Sequence, residues 1–240
     1  NIFIEKPITD NIDHAELLLN KAKKLKKIIQ VGHIERFNPA FNLLKNMDIQ
    51  PRFIETHRLA EFNPRGNDVP VILDLMIHDL DIILSLIKSE IKNIHANGVK
   101  IVSPTVDIAN ARIEFSNGCV ANLTASRISQ KSMRKMRLFQ EKDYITIDFQ
   151  EGILEEYKVC DNPPTPGEGD QVVKLNGKEK KYILYRKPSV PKHDALKEEL
   201  IHFVDSIQNV KQPETDGISA TEALSLALEI QKIIDQQTYF

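Results

Sequence analysis

The sequence is poor in the features that mark several classes of protein. It has only two cysteines, Cys119 and Cys160, in 240 residues, and they fit neither a disulfide framework nor a metal-ligand spacing. The formal net charge of −2 gives no long-range field that would attract nucleic acid or an anionic membrane. No apolar run reaches the length of a membrane span. We therefore expect a cytoplasmic globular protein that binds no nucleic acid, membrane or metal.

The first part of the chain predicts a strand, a helix and a second strand. An apolar strand ends at Pro7, Thr9 or Asp10 can cap the following helix, and a second apolar strand is closed by Gly32. One such βαβ unit, with parallel strands, cannot bury its own faces. The chain also begins without a methionine, on a strand already under way. We therefore expect residues 1–33 to be the end of a larger doubly wound domain whose beginning is absent.

Residues 34–240 show a different pattern. Short segments that alternate apolar and polar residues are separated by turn signals such as Ser116-Asn-Gly118, and two amphipathic helices, about 194–208 and 218–236, close the chain. The expected fold class is therefore α/β followed by α+β. In this fold a βαβ remnant precedes a mostly antiparallel open sheet that helices cover on one face.

The uncovered face of that sheet is expected to hold copies of the chain together. Apolar residues on an open sheet face suit self-association, and a homodimer or homotetramer is the expected result. The candidates for this face are Ile113, Phe115, Leu123, Leu138, Phe139, Ile145 and Ile147.

The most apolar stretch, residues 69–86, carries its charged side chains at helical spacing. Asp74, His78 and Asp81 lie four and then three residues apart, so they share one stripe of a helix that is otherwise apolar. An Asp beside a His on a wall of low dielectric is one way to build a general base. On spacing alone we favour a structural interpretation, in which Asp74 caps the first turn after Pro70 and the other two form a solvated edge.

Three motifs, taken together, reverse that preference. They are Glu5-Lys6-Pro7 at the end of the first strand, Arg36-Phe37-Asn38-Pro39 after the second, and Asp74-x-x-x-His78 on the apolar helix. In this order they resemble the Gfo/Idh/MocA (glucose–fructose oxidoreductase/inositol dehydrogenase) family of NAD(P)-dependent sugar dehydrogenases. The resemblance covers essentially the whole chain. Residues 31–40 look most like the members that act on UDP-N-acetylglucosamine-type sugars at C3.

The resemblance implies a Rossmann domain ending at residue 33, then a substrate-binding and oligomerisation domain over 34–240, with the active site between them. It implies that Lys6, Asp74 and His78 are catalytic. His78 would be the base, Lys6 would stabilise the developing alkoxide, and Asp74 would orient them. Asp81 is expected to be structural.

The family's Gly-rich turn and its ribose-binding acidic residue have no counterpart in residues 1–240, so the sequence leaves NAD and NADP both open. We expect residues 1–240 alone to bind little dinucleotide and to be inactive. A second departure is Val69-Pro70-Val71, where many family members carry a glycine pair; we expect it to alter the mouth of the pocket.

The resemblance also assigns further residues to the binding of cofactor and substrate. Arg36 would lie in the crevice between them, unless it only pairs with Glu35 or Glu61. Arg127 follows a strand and would bind the diphosphate of a nucleotide sugar, whereas Lys131 and Arg134 are expected to be solvated. The expected cofactor residues are Glu5, Lys6, Pro7 and Arg36. The expected substrate residues are Lys6, Arg36, Asn38, Asp74, His78 and Arg127.

The expected function is hydride transfer between NAD or NADP and a secondary hydroxyl of a sugar or nucleotide sugar. Two alternatives remain. One is a cyclitol dehydrogenase, such as an inositol dehydrogenase. The other is a non-catalytic scaffold that keeps the fold for binding or assembly, and the presence of all three catalytic candidates disfavours it.

Overall fold

The computed structural model describes residues 1–64, 68–177 and 180–237. It begins with the predicted βαβ unit: β1 (Ile2–Glu5), α1 (Ile12–Lys24) and β2 (Ile29–Gly32), with the two strands parallel. Neither predicted cap of α1 is correct, because Asn11 precedes the helix and its side-chain oxygen accepts a hydrogen bond from the His14 N–H at 2.8 Å.

A nine-stranded sheet forms the body of the remaining described residues. Its strands are β3 (Phe53–Leu59), β4 (Ile91–Val99), β5 (Ile108–Phe115), β6 (Val120–Ser126), β7 (Met133–Phe139), β8 (Asp143–Asp148), β9 (Ile153–Cys160), β10 (Gln171–Leu175) and β11 (Lys181–Arg186). The spatial order is β10-β11-β9-β8-β7-β3-β6-β5-β4. Every neighbouring pair is antiparallel except β3 and β6, which confirms a mostly antiparallel sheet.

Helical segments cover one face of this sheet. They are a 3₁₀ turn (Ile34–Phe37), α2 (Pro39–Leu44), a π-helical turn (Ile72–Met76), α3 (Ile77–Leu86) and α5 (Gly217–Asp235), whereas α4 (Ala195–Gln208) packs against the 3₁₀ turn and β1. Ile77, Leu80, Ile82 and Ile83 of α3 are fully buried, as an apolar helix should be. Within the described residues, no helix is both long enough and apolar enough to cross a membrane.

Six of the seven apolar residues predicted for the open face lie instead on the covered face. They are at most 2% exposed and belong to the main core: Ile113, Phe115, Leu123, Leu138, Ile145 and Ile147. Phe139 lies on the open face. Side chains alternate between the two faces of a strand, so the seven residues could not all share one face.

The open face instead carries a row of aromatic rings. Phe53, Phe139, Tyr144, Tyr157 and Tyr185 occupy directly opposite positions on β3, β7, β8, β9 and β11. Successive ring centroids lie 5.7, 4.8, 5.3 and 5.0 Å apart. Beside the row the face is charged; for example, Arg137 Nη1 donates to Glu55 Oε2 at 2.9 Å.

Helix α5 joins the βαβ unit to the sheet domain. Ala220 and Leu224 of α5 are buried against Ile29 and Val31 of β2. The Val31 N–H also donates to the carbonyl of Thr215, just before α5, at 2.8 Å. These contacts fix the carboxyl ends of β1 and β2 relative to α3.

Candidate active site

The segment that carries Asp74 is a π-helical turn, whereas the spacing predicted a regular α-helix. The Ile77 N–H donates to the Ile72 carbonyl, five residues back, before α3 begins. Such a turn changes the angular position of Asp74 relative to His78 and Asp81. Single π turns within helices occur frequently at functional sites.

Lys6 reaches this π-helical turn from the end of β1. Its Nζ donates to the Asp74 carbonyl oxygen at 2.5 Å and to Asp74 Oδ1 at 3.1 Å. The Lys6 side chain is 19% exposed and that of Asp74 is 41% exposed, so the pair lies at the edge of solvent. Within the described residues, the Asp74 carboxylate accepts from Lys6 rather than from helix N–H groups, which contradicts the structural interpretation that spacing alone favoured.

His78 lies one turn beyond Asp74, and its imidazole is held neutral. Its Nδ1 is buried and has no hydrogen-bond partner in the described part of the chain. Burial lowers the pKa of His78 well below its ordinary value, and the positive charges of Arg58 and Lys6 lower it further. A neutral imidazole is the form that can accept a proton.

A second histidine, His33, lies beside His78, and sequence reasoning missed it. The two ring centroids are 6.3 Å apart at an interplanar angle of 84°. His33 is 1% exposed, and neither ring nitrogen has a hydrogen-bond partner among the described residues. The available signal was its position directly after β2, because parallel sheets bind ligands beyond the carboxyl ends of their strands.

Arg36 binds acidic residues other than the two that the sequence suggested. Its Nη1 lies 3.7 Å from Asp81 Oδ2, and its Nη2 donates to the Glu214 carbonyl oxygen at 3.4 Å. Asp81 is 2% exposed, so the solvated edge of the structural interpretation is wrong for this residue. Burial raises the pKa of Asp81, and the positive groups nearby oppose that shift.

The other two substrate candidates make contacts within the protein. Asn38 Oδ1 accepts from the Ala40 N–H at 3.1 Å and caps α2, while its Nδ2 donates to the Phe149 carbonyl at 3.0 Å. Arg127 follows β6, is 5% exposed and donates to the carbonyl oxygen of Val69, just before the π-helical turn.

A buried ion cluster supports the site from behind. Arg58 of β3 forms two hydrogen bonds with the Asp79 carboxylate, at 3.1 and 2.8 Å, and a third with Glu35 Oε1 at 2.9 Å. All three residues are at most 6% exposed. The cluster ties α3 and the 3₁₀ turn to the sheet, and sequence reasoning did not identify it.

The carboxyl ends of β1 and β2 have the chemistry to hold the nicotinamide end of a dinucleotide. Glu5, Lys6 and Pro7 leave β1 there, with a cis peptide bond between Lys6 and Pro7. His33 adds two buried ring nitrogens without partners in the described chain. Buried polar atoms normally have hydrogen-bond partners, so these nitrogens fit a polar group in the crevice.

Comparisons with known proteins identify the family. The GFO/IDH/MocA C-terminal domain family matches residues 50–155. UDP-N-acetylglucosamine 3-dehydrogenase of Acidithiobacillus ferrooxidans is 34% identical over 235 residues, which cover 97% of this chain and 70% of the relative. The scyllo-inositol 2-dehydrogenase (NAD(+)) of Bacillus subtilis is 25% identical over 243 residues, which cover 95% of this chain and 66% of the relative.

Solved structures share the fold. The crystallised UDP-N-acetylglucosamine 3-dehydrogenase from Acidithiobacillus ferrooxidans has a TM-score of 0.84 at 32% identity, covering 97% of this chain and 70% of that one. The aldose-aldose oxidoreductase of Caulobacter crescentus has a TM-score of 0.75 at 17% identity, covering 98% of this chain and 70% of that one. The first resembles this chain in sequence and fold, and the second in fold.

Proposed function

This chain belongs to the Gfo/Idh/MocA family of oxidoreductases, and on that premise we propose that its protein oxidises a secondary hydroxyl of a UDP-linked amino sugar. The class of substrate is suggested by the Acidithiobacillus ferrooxidans relative, whose name specifies UDP-N-acetylglucosamine and oxidation at position 3. The observation that carries the proposal is the contact of Lys6 with Asp74, one helical turn before His78.

The three residues have complementary roles in alcohol oxidation. Neutral His78 accepts the hydroxyl proton as general base. The Lys6 ammonium would stabilise the negative charge that develops on the same oxygen. The carbonyl oxygen and Oδ1 of Asp74 both accept hydrogen bonds from Lys6 and so position its ammonium group. The pair remains partly exposed to solvent.

A bound nicotinamide would supply the hydride acceptor. Glu5, Lys6, Pro7 and Arg36 are proposed to hold it at the carboxyl ends of β1 and β2. The family uses NAD or NADP, and we propose that one of these two serves this protein. Residues 1–33 are proposed to belong to the dinucleotide-binding domain and residues 34–240 to the substrate domain.

Substrate binding is proposed to involve the catalytic residues and Arg127, with Arg36 and Asn38 at the back of the crevice. Arg127 would have to share its guanidinium between the Val69 carbonyl and a phosphate oxygen, which its several N–H donors permit. Asn38 would act mainly through the α2 N-terminus that it caps.

The experiment that tests the function is a substrate panel with the full-length protein. NAD and NADP are each paired with UDP-N-acetylglucosamine, other UDP-sugars, free sugars and inositols, and the absorbance of reduced nicotinamide is followed. We expect turnover with UDP-N-acetylglucosamine. Turnover with inositols alone would support the cyclitol alternative. No turnover and no nicotinamide binding would support a non-catalytic scaffold.

A further inference from the structure

Arg134 carries an exposed guanidinium that the catalytic roles above do not use. It is the second residue of β7, and its side chain is 55% exposed, as the sequence predicted. Among the described residues its ion-pair partner is Glu35, and Nη1 lies 3.8 Å from Glu35 Oε1, too far for a hydrogen bond. Within that part of the chain the guanidinium donates no hydrogen bond, so its five N–H donors are available to another acceptor.

Glu35 makes its hydrogen bonds without Arg134. Its Oε1 accepts from Arg58 Nη1 at 2.9 Å, and its Oε2 accepts from Asn38 Nδ2 at 3.3 Å. Both donors belong to buried residues, and the Glu35 carboxylate is buried with them. Arg134 adds only a solvent-screened attraction to this carboxylate, which is a weak interaction. The buried cluster therefore does not account for a guanidinium at this position.

The neighbours of Arg134 place it at the rim of the active-site crevice. Arg58 lies directly opposite it in the register of β3 and β7, so the two side chains share a face, and Arg58 bonds to the residue after His78. Glu35 lies two residues after His33, whose ring centroid is 6.3 Å from that of His78. The positive charge of Arg134 also lowers the pKa of His78, which agrees with this position.

An exposed cation at this rim suits a substrate that extends beyond the reacting sugar. Sugars and inositols are uncharged and offer a guanidinium no counter-ion, whereas a phosphate accepts two parallel N–H···O bonds from it. Arg127, also proposed to bind phosphate, is 5% exposed and already donates to the Val69 carbonyl. Arg134 is therefore the more accessible of the two guanidinium groups.

We propose that Arg134 binds the diphosphate of a nucleotide-linked sugar while the sugar reacts at His78, and that it thereby selects such substrates over free sugars and inositols. The inference rests on the proposed dehydrogenase function. The dinucleotide cofactor also carries a diphosphate, but its proposed site is at the carboxyl ends of β1 and β2, whereas Arg134 belongs to the nine-stranded sheet. The two diphosphates are distinguished by the experiments below.

The kinetic test compares Arg134→Gln with the wild-type, full-length protein. The variant should fold, because Glu35 keeps its bonds to Arg58 and Asn38. Its KM for UDP-N-acetylglucosamine should rise about 10- to 100-fold, the usual effect of losing a hydrogen bond to a charged group. Its kcat should stay within about twofold, because the phosphate is bound equally before and during hydride transfer. A lower kcat with an unchanged KM would overturn the proposal.

Arg186→Gln on β11 is the matched control. The Arg186 side chain is 42% exposed and lies 3.5 Å from Glu156 Oε2 and 3.3 Å from Asp170 Oδ2. The change removes the same charge from a strand that β8 and β9 separate from β7, so the KM should not change. An equal rise in KM in this variant would mean that net charge, rather than Arg134, determines substrate binding, and would overturn the proposal.

Titration calorimetry of the full-length protein tests Arg134 without turnover. UDP carries the diphosphate without the sugar; it should bind the wild-type protein, and Arg134→Gln should weaken that binding about 10- to 100-fold. Binding of NAD or NADP should be unchanged. No binding of UDP to the wild type, equal UDP affinity in the variant, or a loss of dinucleotide affinity instead would each overturn the proposal. Absence of turnover in a wild-type protein that binds UDP through Arg134 would refute the dehydrogenase function alone.

Discussion

At the scale of single residues, the state of His78 is decided by burial rather than by its acidic neighbour. Desolvation and the nearby cations both disfavour the imidazolium ion, so the base is free of a proton at neutral pH. Lys6 interacts with both other residues of the site: its ammonium donates a hydrogen bond to Asp74, and its positive charge lowers the pKa of His78. The neutral imidazole that the proposed mechanism requires is therefore present before substrate binds.

The pH dependence of the rate should show this state. The pKa of His78 lies below its ordinary value, so its base form persists as the pH falls and is lost only when the pH passes through the lowered pKa. The pH dependence of kcat/KM reports on the free enzyme. We expect the midpoint of its acid limb to lie at a pH well below the unperturbed histidine pKa of about 6.5. An acid limb at or above that value would be incompatible with a desolvated base.

The buried carboxylate of Asp107 gives a test of how hydrogen bonds to a charged group stabilise the fold. Its buried Oδ2 accepts three backbone N–H bonds, from Ile101 at 2.7 Å, Val102 at 2.7 Å and Ser103 at 2.9 Å. Burial alone would raise the pKa of Asp107, but these bonds outweigh it and hold the pKa well below its ordinary value. The carboxylate therefore stabilises the fold above its unfolded pKa, and that stabilisation is lost as the pH falls through the folded one.

We expect Asp107→Asn to lower the free energy of unfolding by about 1–3 kcal/mol at neutral pH, because the bonds to a charged acceptor are weakened. Urea unfolding of both proteins at neutral pH measures the difference. The gap should narrow as the carboxylate of the wild-type protein is protonated in acid. Equal stability at neutral pH would show that the three bonds contribute nothing net.

At the scale of elements, the sequence predicted the helix over residues 69–86 but not its π-helical turn. Hydrophobic periodicity reports which side chains are buried, and it does not distinguish hydrogen bonds to the fourth residue from bonds to the fifth. The pairing of Lys6 with Asp74 came from motif order, since no local pattern joins residues 68 positions apart. The partners of Arg36 were missed for the same reason: Glu214 becomes its neighbour only when α5 packs on the βαβ unit.

The buried cluster on α3 should be costly to break from one side. Arg58→Met would leave Asp79 and Glu35 without their main counter-charge, and removing one partner of a buried pair typically destabilises by about 3–5 kcal/mol. Denaturant unfolding should show this loss. The double replacement Arg58→Met with Asp79→Leu should recover part of it, because one stranded charge is then gone. No loss in the single variant would mean that the pair is dispensable.

At the scale of the whole molecule, the fold class could be predicted, but the strand order and the identity of the open face could not. Each strand offers two faces, and apolar residues fall on both: six predicted residues are in the core, and the aromatic row lies on the other side. The docking of α2, the π-helical turn and α5 decides which face is buried. We propose that the aromatic row joins two copies of the chain, because aromatic residues are enriched at protein interfaces.

Replacing Tyr144 and Tyr157 by Glu should therefore separate the copies. The rings lie 5.3 Å apart at the centre of the row, so two charges there would repel a facing sheet. Sedimentation velocity should show a smaller particle than the wild type with unchanged circular dichroism. Leu17→Glu on α1, which also places a charge on an exposed apolar position, is the matched control and should keep the assembly. A wild-type monomer, or an assembly unaffected by the double variant, would contradict the proposal.

The proposed action of Lys6 and His78 on one reacting oxygen is tested most directly by the turnover number of His78→Ala in the full-length protein, measured with saturating sugar and nicotinamide. Loss of the base should lower kcat by roughly 10²–10⁴-fold while nicotinamide binding is retained. A kcat equal to that of the wild-type protein would contradict the mechanism, since the imidazole could not then be the group that removes the proton.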